Sequence, residues 1–228
     1  MPQFGKPDQL CSYFRRHSGK LELPTSNNFF PPQMKFISWN CQGVENSNFR
    51  RSCTDLIRQH RPDAICFLET KATSDLPSIS FLTRLGFDQN FQIPAAGFAG
   101  GLWLFWKSTS ISLDIIASTN QTIHCSFLQG SNRINASFVY ARPNPRLKAL
   151  LWTDLQSLAS TISSPWFVIG DWNEIGAVDH VFPASSASIT RGIRFRNALD
   201  SCNLMLTEPL GCKFTWIRSV NNRIALRE

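Results

Sequence analysis

Pro165-Trp166-Phe167-Val168-Ile169-Gly170-Asp171-Trp172-Asn173-Glu174 decides how this chain is read. Four consecutive apolar residues follow a helix-stopping proline and give way abruptly to polar groups. A short continuous apolar run is what a strand covered on both faces requires. The polar groups therefore stand at that strand's C-terminal end. Ala64-Ile65-Cys66-Phe67-Leu68 repeats the design and ends in Glu69-Thr70-Lys71. Lys35-Phe36-Ile37-Ser38-Trp39-Asn40 alternates polar with apolar, as a half-buried strand does, and ends at Asn40.

Working outward, the folded part is expected to begin at Met34. Asn48 to His60 reads as a helix with Phe49, Cys53, Leu56, Ile57 and His60 on one face, stopped by Pro62. Leu76 to Leu85 is a weaker helix ending at Gly86. Gly100-Gly101 introduces a strand over Leu102 to Trp106, and Ile111 to Ile116, Thr122 to Leu128 and Arg133 to Tyr140 follow at hairpin-like spacing. Pro145 to Ile162 carries Leu147, Leu150, Leu151, Leu155, Leu158 and Ile162 as a helical stripe. Ser185 to Ser188 reads as a small-residue loop before a helix from Thr190, its N-cap, to Cys202. Leu204 to Leu206 and Lys213 to Ile217 are the last strands. Mixed strands, hairpins and helices without a βαβ rhythm point to two packed, largely antiparallel sheets flanked by helices.

The 228 residues suffice for one sizeable α/β domain, and 43% hydrophobic against 17% charged residues argues against wholesale disorder. The net charge of +7 suits a polyanionic partner and says nothing of fold. Seven cysteines, an odd number without C-x-x-C spacing, fit neither a disulfide framework nor a zinc finger. They fit an intracellular, reducing compartment, nuclear or cytoplasmic. No apolar run reaches the roughly 18 residues of a membrane helix, so no membrane partner is expected. Residues 1-33 are polar, lack a signal-peptide core and read as a disordered leader; 34-228 form the folded domain.

Three strands that deliver Asn40, Glu69 and the pair Asp171 and Asn173 raise a physical question. Carboxylates beside apolar strands are costly to desolvate unless a cation or hydrogen bonds compensate. Hard oxygen donors of this kind suit Mg²⁺, with Mn²⁺ as the alternative; Mg²⁺ keeps several waters and shares its shell with substrate phosphate.

Four stretches then resemble, in order, the leading motifs of the endonuclease/exonuclease/phosphatase superfamily. They are Ile37 to Gly43, Asp63 to Lys71, Phe138 to Asn144 and Gly170 to Ile175. The wording is similar to the endonuclease domain of plant non-LTR (LINE-type) retrotransposon polyproteins, and Phe214-Thr215-Trp216 resembles that lineage's next block. The resemblance implies a four-layered α/β sandwich, incomplete at the C-terminus. It implies Mg²⁺-dependent nicking of DNA by a monomer, with a reverse-transcriptase domain in the parent polyprotein. Carried over by position, Glu69 is a metal ligand and Asn40 orients the metal site and the phosphate. Asp171 positions the attacking water, Asn173 holds it or a phosphate oxygen, and Tyr140 reaches the phosphate. Asn144, Phe214 and Trp216 contact the nucleic acid.

Blander readings stand beside these. Tyr140 suits a strand-end aromatic, Trp216 plain core, and Asn144, between two prolines, a turn or helix cap. Lys71, Arg142 and Lys213 suit solvated surface, with phosphate contact as the other reading. The family's closing aspartate and Asp-His motifs are expected beyond Glu228, and Asp179-His180 sits in a loop too close to Asn173 to replace them. A catalytically inactive nucleic-acid-binding remnant is one alternative function. A phosphatase or lipid phosphodiesterase of the same fold is another.

Overall fold

The computed structural model describes residues 12–15, 34–73, 80–97, 99–174, 181–182, 185–207, 216–220 and 223–227. A four-stranded sheet runs β2-β3-β5-β4, built from β2 (Phe36–Asn40), β3 (Ala64–Leu68), β4 (Gln89–Ile93) and β5 (Leu102–Trp106). A six-stranded sheet runs β11-β1-β9-β8-β7-β6. Its strands are β1 (Ser12–Arg15), β6 (Asp114–Thr119), β7 (Thr122–Gln129), β8 (Asn132–Tyr140), β9 (Trp166–Asp171) and β11 (Leu204–Leu206). A smaller sheet, β10-β13-β12, joins β10 (Val181–Phe182), β12 (Trp216–Val220) and β13 (Arg223–Arg227).

Two of the strand pairs, β2 with β3 and β8 with β9, are parallel, and the others are antiparallel. Both large sheets are therefore mixed. Each parallel pair has a helix in its crossover, as parallel strands require: α1 (Phe49–His60) and α3 (Pro145–Thr161).

Three apolar clusters make the layers. Phe49, Cys53, Leu56 and Ile57 of α1, with Phe81 and Leu82 of α2 (Ser80–Arg84), pack on Ile65, Phe67 and Trp103. Between the sheets, Cys66, Leu68 and Leu104 meet Cys125, Phe138 and Ile169. On the far side, Leu151 and Leu155 of α3 and Phe195 and Leu199 of α4 (Ser186–Ser201) cover Val139 and Val168. The order helix, sheet, sheet, helix is the expected four-layered sandwich.

Four expectations are corrected. Ser12–Arg15, inside the supposed disordered leader, pairs with both β9 and β11; the rest of 1–33 lies outside the described residues. Two adjacent aromatics give this stretch strand propensity, and the paired edges supply the hydrogen bonds. The strand expected at 111–116 forms three residues later, because Ile111 and Leu113 are buried in the approach. α4 begins one turn before Thr190, as Ser185 and Ser188 form a reciprocal capping box. On α3 the buried row is Lys148, Leu151, Leu155 and Ala159, and Leu150 is exposed. β4, too polar to signal itself, and the short β10 went unread. The described cysteines 41, 53, 66, 125 and 202 are free and buried.

Candidate active site

Side chains alternate across a strand, so every second residue faces the inter-sheet core. Phe36 of β2 packs on Phe127, Phe138 and Phe167 of the other sheet. Ala136, Phe138 and Tyr140 of β8, and Phe167 and Ile169 of β9, face the same core. Extending each row to the strand's end gives Asn40, Tyr140 and Asp171. The parallel registers place Asn40 beside Leu68 and Tyr140 beside Asp171. The two sheets are joined at these ends by a 2.7 Å hydrogen bond from Asn40 Nδ2 to Asp171 Oδ2.

Glu69 follows Leu68 in the left-handed region, at φ 56°. Its neighbours are strapped to a glycine turn: Thr70 N donates to Gly101 O (3.2 Å) and Lys71 N to Gly100 O (3.0 Å). Gly101 has φ +87°, and a Cβ there would fall 2.2 Å from Thr70 Oγ1. The Lys71 ammonium lies 3.3 Å from the Glu69 carboxylate.

The Asp171 side of the cleft is held more tightly. Asp171 Oδ1 accepts from Asn173 N (2.9 Å), Asn173 Nδ2 donates to Ala141 O (2.9 Å), and Ala141 N donates to Asp171 O (2.8 Å). Asn173 itself is left-handed, at φ 47°. Its carbonyl accepts from Lys148 Nζ (2.9 Å) and Arg191 Nη2 (2.8 Å), and both cations also bind the Glu174 carboxylate. At Gly170 a Cβ would lie 1.9 Å from Val139 O, so only glycine lets β8 and β9 close up before Asp171. Trp172 stacks on Trp152 at 5.2 Å and seats the loop on α3.

Burial, then the charges of Glu69 and Asp171, push the Tyr140 phenol up to about 12, against the opposing pull of Arg142. Both carboxylates thus act on one hydroxyl, which stays protonated and can only donate to, or accept from, a ligand as a neutral group. No cluster of three or more His, Cys, Asp or Glu side chains occurs among the described residues. The donors at hand are two carboxylates and the Asn40 amide. That hard, sparse set fits Mg²⁺ or Mn²⁺, which complete their shells with water and phosphate, and does not fit a zinc cage.

Asn40, Glu69, Tyr140, Asp171 and Asn173 are therefore brought together. Asn144 is the N-cap of α3: its Oδ1 accepts from Arg146 N and Leu147 N, which commits that oxygen to the helix. Trp216 begins β12, and Phe214, Lys213 and His180 fall outside the described residues. Sequence reasoning missed Gln121, buried at the β6–β7 turn. It accepts from Tyr140 N through its backbone and from Arg142 N through Oε1, and donates to Leu147 O. It also missed Lys148, although a lysine in step with Leu151 and Leu155 signals a buried carboxylate partner.

The fold is a two-sheet α/β sandwich whose strand ends bring carboxylate and amide groups together. The chain belongs to the Endonuclease/Exonuclease/phosphatase family, whose description matches residues 37–201. Among solved structures, the endonuclease domain of TRAS1, a telomere-specific non-LTR retrotransposon, aligns with a TM-score of 0.62 at 11% identity. That alignment covers 86% of this chain and 82% of that one. An AP endonuclease from Archaeoglobus fulgidus aligns with a TM-score of 0.56 at 15% identity, over 75% and 70%. The human Nocturnin catalytic domain aligns at 0.45 and 20% identity, and this chain spans 65% of its length. At these identities the likeness is one of fold. No curated protein matches by sequence. No described helix is long and apolar enough to cross a membrane.

Proposed function

We propose that this chain is a divalent-cation-dependent phosphodiesterase that nicks DNA, of the kind carried by LINE-type retrotransposons beside a reverse transcriptase. The observation that carries the reading is the 2.7 Å contact between Asn40 and Asp171, which unites the ends of two sheets, with Glu69 and Asp171 both acting on the Tyr140 hydroxyl. In this reading Glu69 holds Mg²⁺ or Mn²⁺ with Asn40 beside it, and the bound ion supplies charge neutralisation at the phosphoryl oxygens. Asp171, oriented by Asn40 and Asn173 N, accepts the proton of the attacking water. Asn173 places that water or a phosphate oxygen, and Tyr140 donates its hydroxyl hydrogen to the phosphate. DNA as substrate is supported by the +7 charge, by the motif wording and by the named activities of the TRAS1 and Archaeoglobus proteins.

A second reading, DNA binding without turnover, is favoured by the histidines. His124 is buried in β7 against Ser137 and Trp166, and His60 ends α1, so neither stands among the cleft groups described above. Supercoiled-plasmid nicking separates the two. Relaxation is expected with Mg²⁺, lost with a chelator, and reduced by about 10² or more in Glu69→Gln and Asp171→Asn. DNA binding without nicking at any Mg²⁺ or Mn²⁺ concentration selects the second reading. Nicking that survives both substitutions refutes the site.

A further inference from the structure

Arg142 lies two residues beyond Tyr140, with its backbone N–H pinned to Gln121 Oε1 at 2.9 Å. Its guanidinium crosses from the six-stranded sheet to the glycine turn beside Glu69 and donates from Nη2 to Ala99 O at 3.2 Å. It rests directly on Gly100. A Cβ at that glycine would lie 2.8 Å from Nη2, 3.5 Å from Cζ and 3.6 Å from Nε. Yet Nε is buried with no hydrogen-bond partner, and no described carboxylate pairs with the group. Glu69, beside the same turn, is engaged by Lys71.

A guanidinium has five donors in a rigid fork, and an orphaned buried donor costs about 1–3 kcal/mol. Such a group in a native structure calls for an explanation; Nε itself is covered at the Gly100 turn, so a ligand would meet the guanidinium's other nitrogens. Its charge reaches the Tyr140 hydroxyl and opposes Glu69 and Asp171 there, so it borders the same cleft. The cleft thus carries carboxylates for a cation and, across the Gly100–Gly101 turn, a fork whose geometry matches a phosphate.

We propose that Arg142 binds a non-bridging oxygen of the substrate phosphodiester. This rests on the reading of the cleft as a DNA phosphodiesterase site. A salt series tests it, because each neutralised phosphate contributes to the salt dependence of binding whereas a merely structural residue does not. Binding of a fluorescent duplex DNA is followed by anisotropy with Mg²⁺ across a range of KCl concentrations, for the 228-residue chain and its variants. Arg142→Met is expected to lower the slope of log K against log [KCl] by about 0.9, one phosphate contact. Arg142→Lys, which keeps the charge, is expected to restore it. Arg133→Ala, at the far end of β8 and paired with Asp114, is expected to leave it unchanged. Arg142→Gln repeats the test should the methionine variant fail to fold. Wild-type binding with an unchanged slope in the uncharged Arg142 variants, or an equal drop in Arg133→Ala, overturns the assignment alone. Absence of salt-dependent binding by the wild type overturns both it and the proposed function.

Discussion

Replacing Glu174 by glutamine removes the charge that two cations share. Lys148 and Glu174 keep only 9% and 14% of their side-chain surface exposed, whereas Arg191 keeps 41%. The Arg191 limb is screened and counts for almost nothing. The Lys148 limb is a charge-assisted bond in a largely dry setting, of about 1.5–3 kcal/mol, and its loss leaves an ammonium with only the Asn173 carbonyl as a described acceptor. We expect Glu174→Gln to cost about 2–4 kcal/mol. In urea unfolding this moves the midpoint down by roughly 1 M at an unchanged slope. Lys148→Met should cost a similar amount, and Lys148→Met with Glu174→Leu should recover much of it, since an apolar pair needs no compensation. The coupling energy from that cycle should exceed about 1.5 kcal/mol. A single-variant cost below about 1 kcal/mol, or strict additivity, refutes the claim that this pair holds the 171–174 loop.

Two further outcomes follow from the geometry. Gly101→Ala forces a side chain into φ +87° and onto Thr70 Oγ1; a loss of about 2–4 kcal/mol is expected, seen as a melting temperature lower by roughly 5–15 °C. Burial holds His124 down to about 4, only partly opposed by a hydrogen bond to the Ala136 backbone. Trp166 Nε1 donates to Ser137 Oγ, which leaves the Ser137 hydrogen for His124 Nδ1 and fixes the neutral ring. The folded pKa lies below the unfolded value, so this stabilisation is complete above pH ~6.5 and is lost as pH falls towards ~4, up to about 3 kcal/mol. Unfolding free energies of the wild type and His124→Gln across that window should converge at low pH; parallel curves would exclude His124 as the cause.

Much of the site was legible because strand periodicity and strand termination are local signals. Asp171 follows the inward-facing Phe167 and Ile169 by strand alternation, as Asn40 follows Phe36 and Tyr140 follows Phe138. The convergence of those ends was not local. It depends on two parallel crossovers and on Asn40 reaching Asp171, 131 positions away. Glu69 breaks its strand's alternation through a left-handed residue, which no apolar pattern announces. Gln121 acts through backbone N–H and carbonyl groups, and Arg191 through the Asn173 carbonyl and a carboxylate shared with Lys148, so their partners are invisible in sequence. Asn144 lay on the border: flanked by Pro143 and Pro145, it carried the cap signal and took that role.

The position of β1 reaches beyond the finished molecule. Its residue Ser12 pairs with Ile169, and Tyr13 pairs with Leu206 on the other side. On the ribosome this strand is made well before either of its partners. At 5–20 residues per second, roughly 8–30 s separate its synthesis from that of β9. Until then, a stretch rich in aromatics waits with its backbone unsatisfied, open to chaperones or to a neighbouring nascent chain. Such long-range closure also slows folding in the free polypeptide. Yield should therefore depend on how fast translation proceeds.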